Sequence, residues 1–166
     1  TSSIICALAI SDALALAVSS QNNFTIKDFA KTHPEGAIGK RLMVTVSNIM
    51  IKKNIPFINS SSNFSQLLER TIKSNLGLAI ITDNKKKLIG VISDGDIKRI
   101  MKNNKNLESI QLKTVMTKKP IIISPNMLAA EALSVLEDNS INVLPVIEKN
   151  KVVGILTLKD IIKSIN

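Results

Sequence analysis

Trp and Tyr are absent from this 166-residue chain, and only four Phe stand in for them. Platforms on which nucleic-acid bases stack are therefore scarce. That weakens the reading a net charge of +9 would otherwise invite. The lysines lie in turns, at Lys52-Lys53, Lys85 to Lys87 and Lys118-Lys119, and do not line one helix. They read as a solvated surface rich in Lys, and no nucleic-acid partner is expected. Cysteine occurs once, as Cys6, so an intrachain disulfide is excluded and a reducing compartment fits. Cys6 sits in an apolar helical pattern and reads as a small buried hydrophobe. A long hydrophobic run is missing too. The longest, Ile4 to Val18, contains Ser11 and Asp12, whereas a membrane span needs about twenty apolar residues. No basic segment with a cleavage site opens the chain, so nothing reads as a signal peptide. A cytoplasmic protein with no membrane partner and no metal is expected.

What is present is enough for a core. Hydrophobic residues make up 45% of the chain, which argues against wholesale disorder. Residues 1–20 read as a helix, with Thr1, Ser2 and Ser3 offering N-cap hydroxyls. Its apolar residues leave few polar positions, so it is expected to pack inside something larger. Asp12 is the exception, either a buried ion-pair partner or a solvent-facing residue. Thr25 can cap a short second helix, Ile26 to Lys31. Then comes His33-Pro34-Glu35-Gly36-Ala37-Ile38-Gly39-Lys40-Arg41-Leu42, which holds the single histidine, the one side chain whose unperturbed pKa lies near neutrality. Thr1 is not an initiator methionine, so the chain is expected to be a fragment or a processed form.

After that stretch the composition changes and a pattern occurs twice. Gly90-Val91-Ile92-Ser93-Asp94-Gly95-Asp96-Ile97 returns as Gly154-Ile155-Leu156-Thr157-Leu158-Lys159-Asp160-Ile161, an offset of 64 residues (154 − 90). Each copy reads β-α-β-β-α. In the first, Phe57-Ile58 is extended and Asn63 caps a helix. Leu78 to Thr82 and Leu88 to Ser93 are strands, and a helix closes from Asp94 to Met101. The second copy gives Ile121 to Ile123, a helix Asn126 to Glu137, strands Val143 to Ile147 and Val152 to Thr157, and a helix Leu158 to Ile165. Helices are expected to cover one face of each small sheet, and the other repeat to cover the second face.

The chemistry-bearing signal is a strand, then Gly-x-x-[Ser/Thr]-x-x-Asp, then a helix, in both copies. A strand running into a helix leaves free N–H groups at the helix start, which favour phosphate. Ser93 or Thr157 can donate a hydroxyl bond there, and Asp96 or Asp160 can accept from paired ribose hydroxyls. The plainer alternative makes each Ser/Thr an N-cap and each Asp a favourable charge on the helix dipole. Asp94 adds negative charge at the first junction and Lys159 positive charge at the second, so an anionic ligand is better served at the second.

This repeat resembles the CBS-domain pair, or Bateman module, over about residues 46 to 166. The resemblance implies an adenosyl or other nucleotide in the cleft between the repeats and regulation of an attached domain. It makes Asp96 and Asp160 the ribose acceptors, sets Ser93 and Thr157 near phosphate, and offers Ser61 and Thr114 as further cleft-wall hydroxyls. The first forty-five residues are similar to the end of a sugar-isomerase (SIS) domain, in Thr1-Ser2-Ser3, Asp12-Ala13-Leu14-Ala15, Phe24-Thr25 to Asp28-Phe29-Ala30 and the His33 to Leu42 motif. Together the parts resemble the D-arabinose 5-phosphate isomerases, which interconvert D-ribulose 5-phosphate and D-arabinose 5-phosphate toward the Kdo sugar of lipopolysaccharide. The implied fold is α/β (α+β). Residues 1–42 would be the C-terminal segment of a SIS domain, followed by CBS repeats at 46–104 and 110–166. His33 would be the catalytic histidine of an aldose–ketose isomerisation. Glu35 stands where the family pattern has the first glycine of His-Pro-Gly-Gly. The remaining catalytic groups are expected before Thr1, so this piece alone would be inactive. No cofactor is implied beyond a regulatory nucleotide of adenosyl or cytidine type. The implied partners are a sugar-phosphate substrate and further copies of the chain, four in the intact enzyme. The competing reading is a stand-alone nucleotide-sensing or dimerisation module without catalysis.

Overall fold

The computed structural model describes residues 1–25, 28, 44–84 and 87–165. They fall into two compact units, Thr1–Met43 and Val44–Asn166. In the first unit, α1 runs Ser2–Gln21 with Thr1 at its N-cap position, and Thr1 makes no side-chain cap bond. No residue of α1 is buried. Cys6 and Asp12 are both exposed, so among the described residues Cys6 is not the buried hydrophobe its sequence neighbours suggest. The helix has 20 residues, longer than its apolar run, and by length and composition alone it could cross a membrane. Asp12 at mid-helix would be costly in a bilayer. Thr25 and Asp28 cap each other: the Thr25 hydroxyl donates to Asp28 Oδ2 at 2.6 Å and Asp28 N–H donates to Thr25 Oγ1 at 3.3 Å. Except for Asp28, the expected helix 26–31 lies outside the described residues, as do His33 and Glu35.

The second unit holds both repeats. The first comprises α2 (Val46–Ile49), β1 (Phe57–Asn59), α3 (Phe64–Ser74), β2 (Leu78–Thr82), β3 (Leu88–Ser93) and α4 (Asp94–Asn103). The second comprises α5 (Leu112–Val115), α6 (Ala129–Asp138), β4 (Val143–Glu148), β5 (Lys151–Thr157) and α7 (Leu158–Ile165). β1 pairs parallel with β2 through Ile58 and Ile81, and β2 pairs antiparallel with β3 through Ile80 and Val91. β4 and β5 form the matching antiparallel hairpin, Leu144 opposite Leu156.

Strand alternation divides the core. Ala79 and Ile81 of β2 pack with Phe64 and Leu67 of α3 and Ile97 and Ile100 of α4. Their neighbours Leu78 and Ile80 turn the other way and meet Ile155 of β5. Every residue of β2 is therefore buried, as in a strand covered on both faces. In the second repeat Leu144, Val146 and Leu156 pack under Ala132 and Leu136 of α6 and Ile161 of α7.

The repeats also exchange their leading segments. Val46 of α2 belongs to the core of the second repeat, and Leu112 of α5 to the core of the first. Ile51 and Ile155 trade backbone bonds of 2.8 and 3.0 Å, and Thr117 and Val91 trade bonds of 2.9 and 3.0 Å. Each exchanged segment lays a methionine on a glycine of the receiving strand. A Cβ on Gly90 would lie 2.7 Å from Met116 Sδ, and one on Gly154 would lie 2.6 Å from Met50 Sδ.

Two expected elements are shorter than their patterns. Ile123 makes a single bridge to Val146, giving its N–H to Pro145 O and accepting from Ile147 N–H. Extending that parallel ladder to Ile121 needs an N–H from residue 145, and proline has none. α6 begins at Ala129, not Asn126, because backbone groups just before it serve the exchanged segment. Met127 O accepts from Val46 N–H and Ala129 N–H donates to Val44 O.

The two glycines differ in what crowds them. Gly90 also faces the backbone oxygen Thr117 O at 2.8 Å, whereas the nearest backbone atom at Gly154 is Ile51 O at 3.2 Å. A methionine tip can move aside and a paired carbonyl cannot. Gly90→Ala should cost about 1–3 kcal/mol, the usual range for overpacking, and Gly154→Ala less. Urea unfolding of the two variants checks the order, and an equal or reversed ranking refutes it.

Candidate functional site

Both strand-to-helix junctions open into one cleft of about 1220 Å³ between the repeats. Its walls are apolar where the sheets face each other, at Leu78, Val91, Val143 and Pro145. Its mouth carries Arg99, Lys119, Lys159 and Lys163 against the carboxylates Asp94 and Asp96. The cleft suits an anion with a flat apolar part.

Capping chemistry sets the polar groups. Ser93 is the N-cap of α4, in extended backbone, and accepts from Asp96 N–H at 3.1 Å. Asp96 Oδ2 in return takes the Ser93 N–H at 2.9 Å and the Ser93 hydroxyl at 2.7 Å. This reciprocal pair is a capping box with Asp at its third position. The second junction keeps only the side-chain half of it: the Thr157 hydroxyl donates to Asp160 Oδ2, and Asp160 N–H donates to Thr157 Oγ1 at 3.3 Å. The first N–H of each helix is held from across the repeat, Asp94 N by Gly77 O at 3.1 Å and Leu158 N by Asn142 O at 2.9 Å. The second residue of each helix, Gly95 and Lys159, lines the cleft, and the second N–H of a helix has no partner within the helix.

The half-sites differ at their carboxylates. Asp96 Oδ1 accepts from Arg99 Nη2 at 2.5 Å, so both oxygens of Asp96 are engaged. Asp160 Oδ2 is bound by Thr157 alone, and Lys163, one turn on, stands at the place of Arg99. Burial by itself would raise the Asp96 carboxyl. The Ser93 N–H and hydroxyl and the Arg99 guanidinium outweigh burial and hold it below its ordinary value.

Of the residues singled out from sequence, Ser93, Asp96 and Thr157 line the cleft, while Asp160 is bonded to the Thr157 hydroxyl and is not itself part of the lining. Ser61 lies elsewhere, on a separate small pocket, with its hydroxyl given to Asn59 Oδ1 at 2.7 Å. Thr114 gives its hydroxyl to Gln111 O at 2.7 Å, within the turn of α5, and lines neither pocket. The basic groups Arg99, Lys119 and Lys163 were not picked out from sequence. The repeat held a signal for two of them: a base stands three residues after each aspartate, Asp96 to Arg99 and Asp160 to Lys163.

Residues 46–103 and 112–166 each match the CBS domain model. The chain belongs to the CBS-domain family. Among solved structures, this CBS pair superposes on the CBS domain pair of protein MJ0100, determined with 5′-methylthioadenosine and S-adenosyl-L-methionine. The TM-score is 0.66 at 25% identity, over 73% of this chain and 94% of that one. An uncharacterized conserved protein from Pyrococcus horikoshii shares the fold with a TM-score of 0.67 at 19% identity, over 74% of this chain and 92% of that one. The similarity also extends outside the CBS pair. The chain is 32% identical to arabinose 5-phosphate isomerase KdsD of Salmonella typhimurium over 165 residues, which is 99% of its length. It is 32% identical to KdsD of Pseudomonas aeruginosa over 166 residues. It spans about half the length of these curated relatives, 50% and 51%.

The depressed Asp96 carboxyl ties the first half-site to pH. With the folded value below the unfolded one, the ionised network contributes stability above the ordinary Asp range. That contribution disappears as pH falls through the folded value. Thermal melts between about pH 6 and about pH 3 should fall more steeply for the wild type than for Asp96→Asn, the two curves converging at the acid end. Parallel curves would show that Asp96 is not linked to folding.

Proposed function

We propose that the chain is the C-terminal part of an aldose–ketose isomerase that interconverts D-ribulose 5-phosphate and D-arabinose 5-phosphate, toward the Kdo sugar of lipopolysaccharide. Its CBS pair is then the nucleotide-binding regulatory module of that enzyme. The observation that carries this reading is the extent of the similarity. Identity to arabinose 5-phosphate isomerases runs over 99% of the chain and so takes in the segment before the first CBS repeat. In that segment α1 is an interior helix of the isomerase domain, which accounts for its apolar residues. His33 is the group that moves a proton during enediol formation or ring opening. The intact protein is a cytoplasmic homo-oligomer, a tetramer by family resemblance, with a sugar phosphate as substrate.

The geometry of the cleft supports the regulatory half. The Thr157–Asp160 pair at the edge of the cleft is the acceptor for ribose hydroxyls, the Lys159 N–H and the Arg99, Lys119 and Lys163 cations take phosphate, and the apolar walls take a base. The adenosyl ligands of the MJ0100 pair support an adenosyl compound, and the place of Kdo in the reading supports a cytidine nucleotide.

Activity and binding are tested separately. In the full-length protein, His33→Asn should lower kcat for D-arabinose 5-phosphate by about a hundredfold or more, the ordinary worth of a general acid–base. Unchanged turnover would remove His33 from the chemistry, and an inactive wild type would reject the isomerase reading. Calorimetry with AMP, ATP and the cytidine nucleotide of Kdo should give binding to at least one of them. That binding should be lost in Asp160→Ala and weakened less in Asp96→Ala, whose partner Arg99 already competes for it. No heat with any nucleotide rejects the regulatory reading and leaves the isomerase reading to its own assay.

A further inference from the structure

We propose that Arg99 is a built-in occupant of the first half-site, so that the two junctions of the cleft fill in order, the second before the first. This inference rests on the nucleotide reading of the cleft and specifies how its two ends are used.

The position of the guanidinium carries it. Arg99 Nη2 donates to Asp96 Oδ1 at 2.5 Å, while the Ser93 N–H and hydroxyl hold Oδ2. The carboxylate thus accepts three bonds before any ligand arrives. The other terminal nitrogen, Arg99 Nη1, lies 3.7 Å from the point where a Cβ on Gly95 would stand. The side chain therefore folds back across the start of α4, over the second residue of that helix. Gly95, Asp96 and Arg99 all line the cleft. A ligand that gave its ribose hydroxyls to Asp96, or set a phosphate at this helix start, would need the volume that the guanidinium fills.

The second junction has no such occupant. Lys159 and Lys163 stand 64 residues after Gly95 and Arg99. Lysine carries a point charge without the planar fork of arginine. Among the described residues the Asp160 carboxylate accepts only from the Thr157 hydroxyl, and no ion pair joins it to Lys163. The two ends of one cleft are thus alike in fold and unlike in occupancy.

Exposure makes Arg99 a gate and not a plug. Its side chain is 70% exposed and that of Asp96 only 20%. The guanidinium shields the more enclosed group and can itself swing into solvent. An exposed ion pair three residues apart on a helix holds weakly. Arg99 therefore delays a ligand at the first junction without forbidding it, and a ligand enters there by displacing the side chain.

Equilibrium dialysis with adenosine tests this, because an uncharged nucleoside has no phosphate for Arg99 to hold. The background is Asp160→Ala, which disables the second junction. There, Arg99→Ala should tighten adenosine by about fivefold, the upper range for release from an exposed ion pair. Adding Asp96→Ala should abolish the gain, which places the released site at the first junction. At the mirror position, Lys163→Ala in an Asp96→Ala background should leave adenosine affinity unchanged, since Lys163 covers no carboxylate. No gain in Arg99→Ala, a gain that survives Asp96→Ala, or an equal gain from Lys163→Ala overturns the proposal. If AMP or ATP binds the wild type in such a case, the nucleotide reading stands and only the gate falls. If adenosine, AMP and ATP bind neither the wild type nor any variant, both fall.

Discussion

The CBS pair depends on the exchange of leading segments. Ile51 completes the hairpin of the second repeat and Thr117 that of the first, each through two backbone bonds and a methionine seated on glycine. The buried side chains Val46 and Leu112 go with them, fully enclosed in the opposite core. Neither repeat owns a complete core by sequence position. The pseudo-twofold pairing is thus made by chain crossing as well as by the sheet contact of Ile80, Val91 and Ile155. Fixing the two repeats fixes the distance between the junctions that line the cleft.

That arrangement turns a local rule into a site. Each hydroxyl–aspartate cap is a matter of four residues, and the same four would cap an isolated helix equally well. What makes the two of them a candidate recognition surface is that Gly77 O and Asn142 O hold the first N–H of each helix. The second residue of each helix, Gly95 and Lys159, thereby lines one volume. The plain N-cap reading and the ligand reading of Ser93 and Thr157 are therefore compatible. Capping spends one carboxylate oxygen and leaves the other, and Arg99 then claims it in the first half-site but not in the second.

Much of this was legible in the chain. Periodicity and the offset between the Gly90 and Gly154 motifs gave both hairpins and the order of elements, because strands buried on two faces and helices buried on one carry strong patterns. The aspartates and hydroxyls at the junctions were legible for the same reason: they are a sequence-local motif. The exchange was not. Val46 to Met50 looks like the head of its own repeat, and nothing local reveals which hairpin will accept Ile51. The truncated ladder at Ile121 is not legible locally because its cause, Pro145, lies on the neighbouring strand. The place of Ser61 and Thr114 in each repeat suggests the cleft wall, but their hydroxyls turn to Asn59 and to Gln111 within their own turns. Short polar side chains often take partners within their own turn in this way.

The exchange also gives the two repeats different histories during synthesis. When the first repeat has emerged as far as Asn103, its core still lacks Leu112 and the strand partner Thr117, so it must wait with Ile92 and Val91 incompletely covered. The second repeat borrows a segment made before it. Its borrowed segment, Val46 to Ile51, was made before any other part of it, and stands ready when the β5 residues Gly154 and Ile155 arrive. Vectorial folding of a near-symmetric pair is thus asymmetric: the repeat made first is finished by the repeat made second.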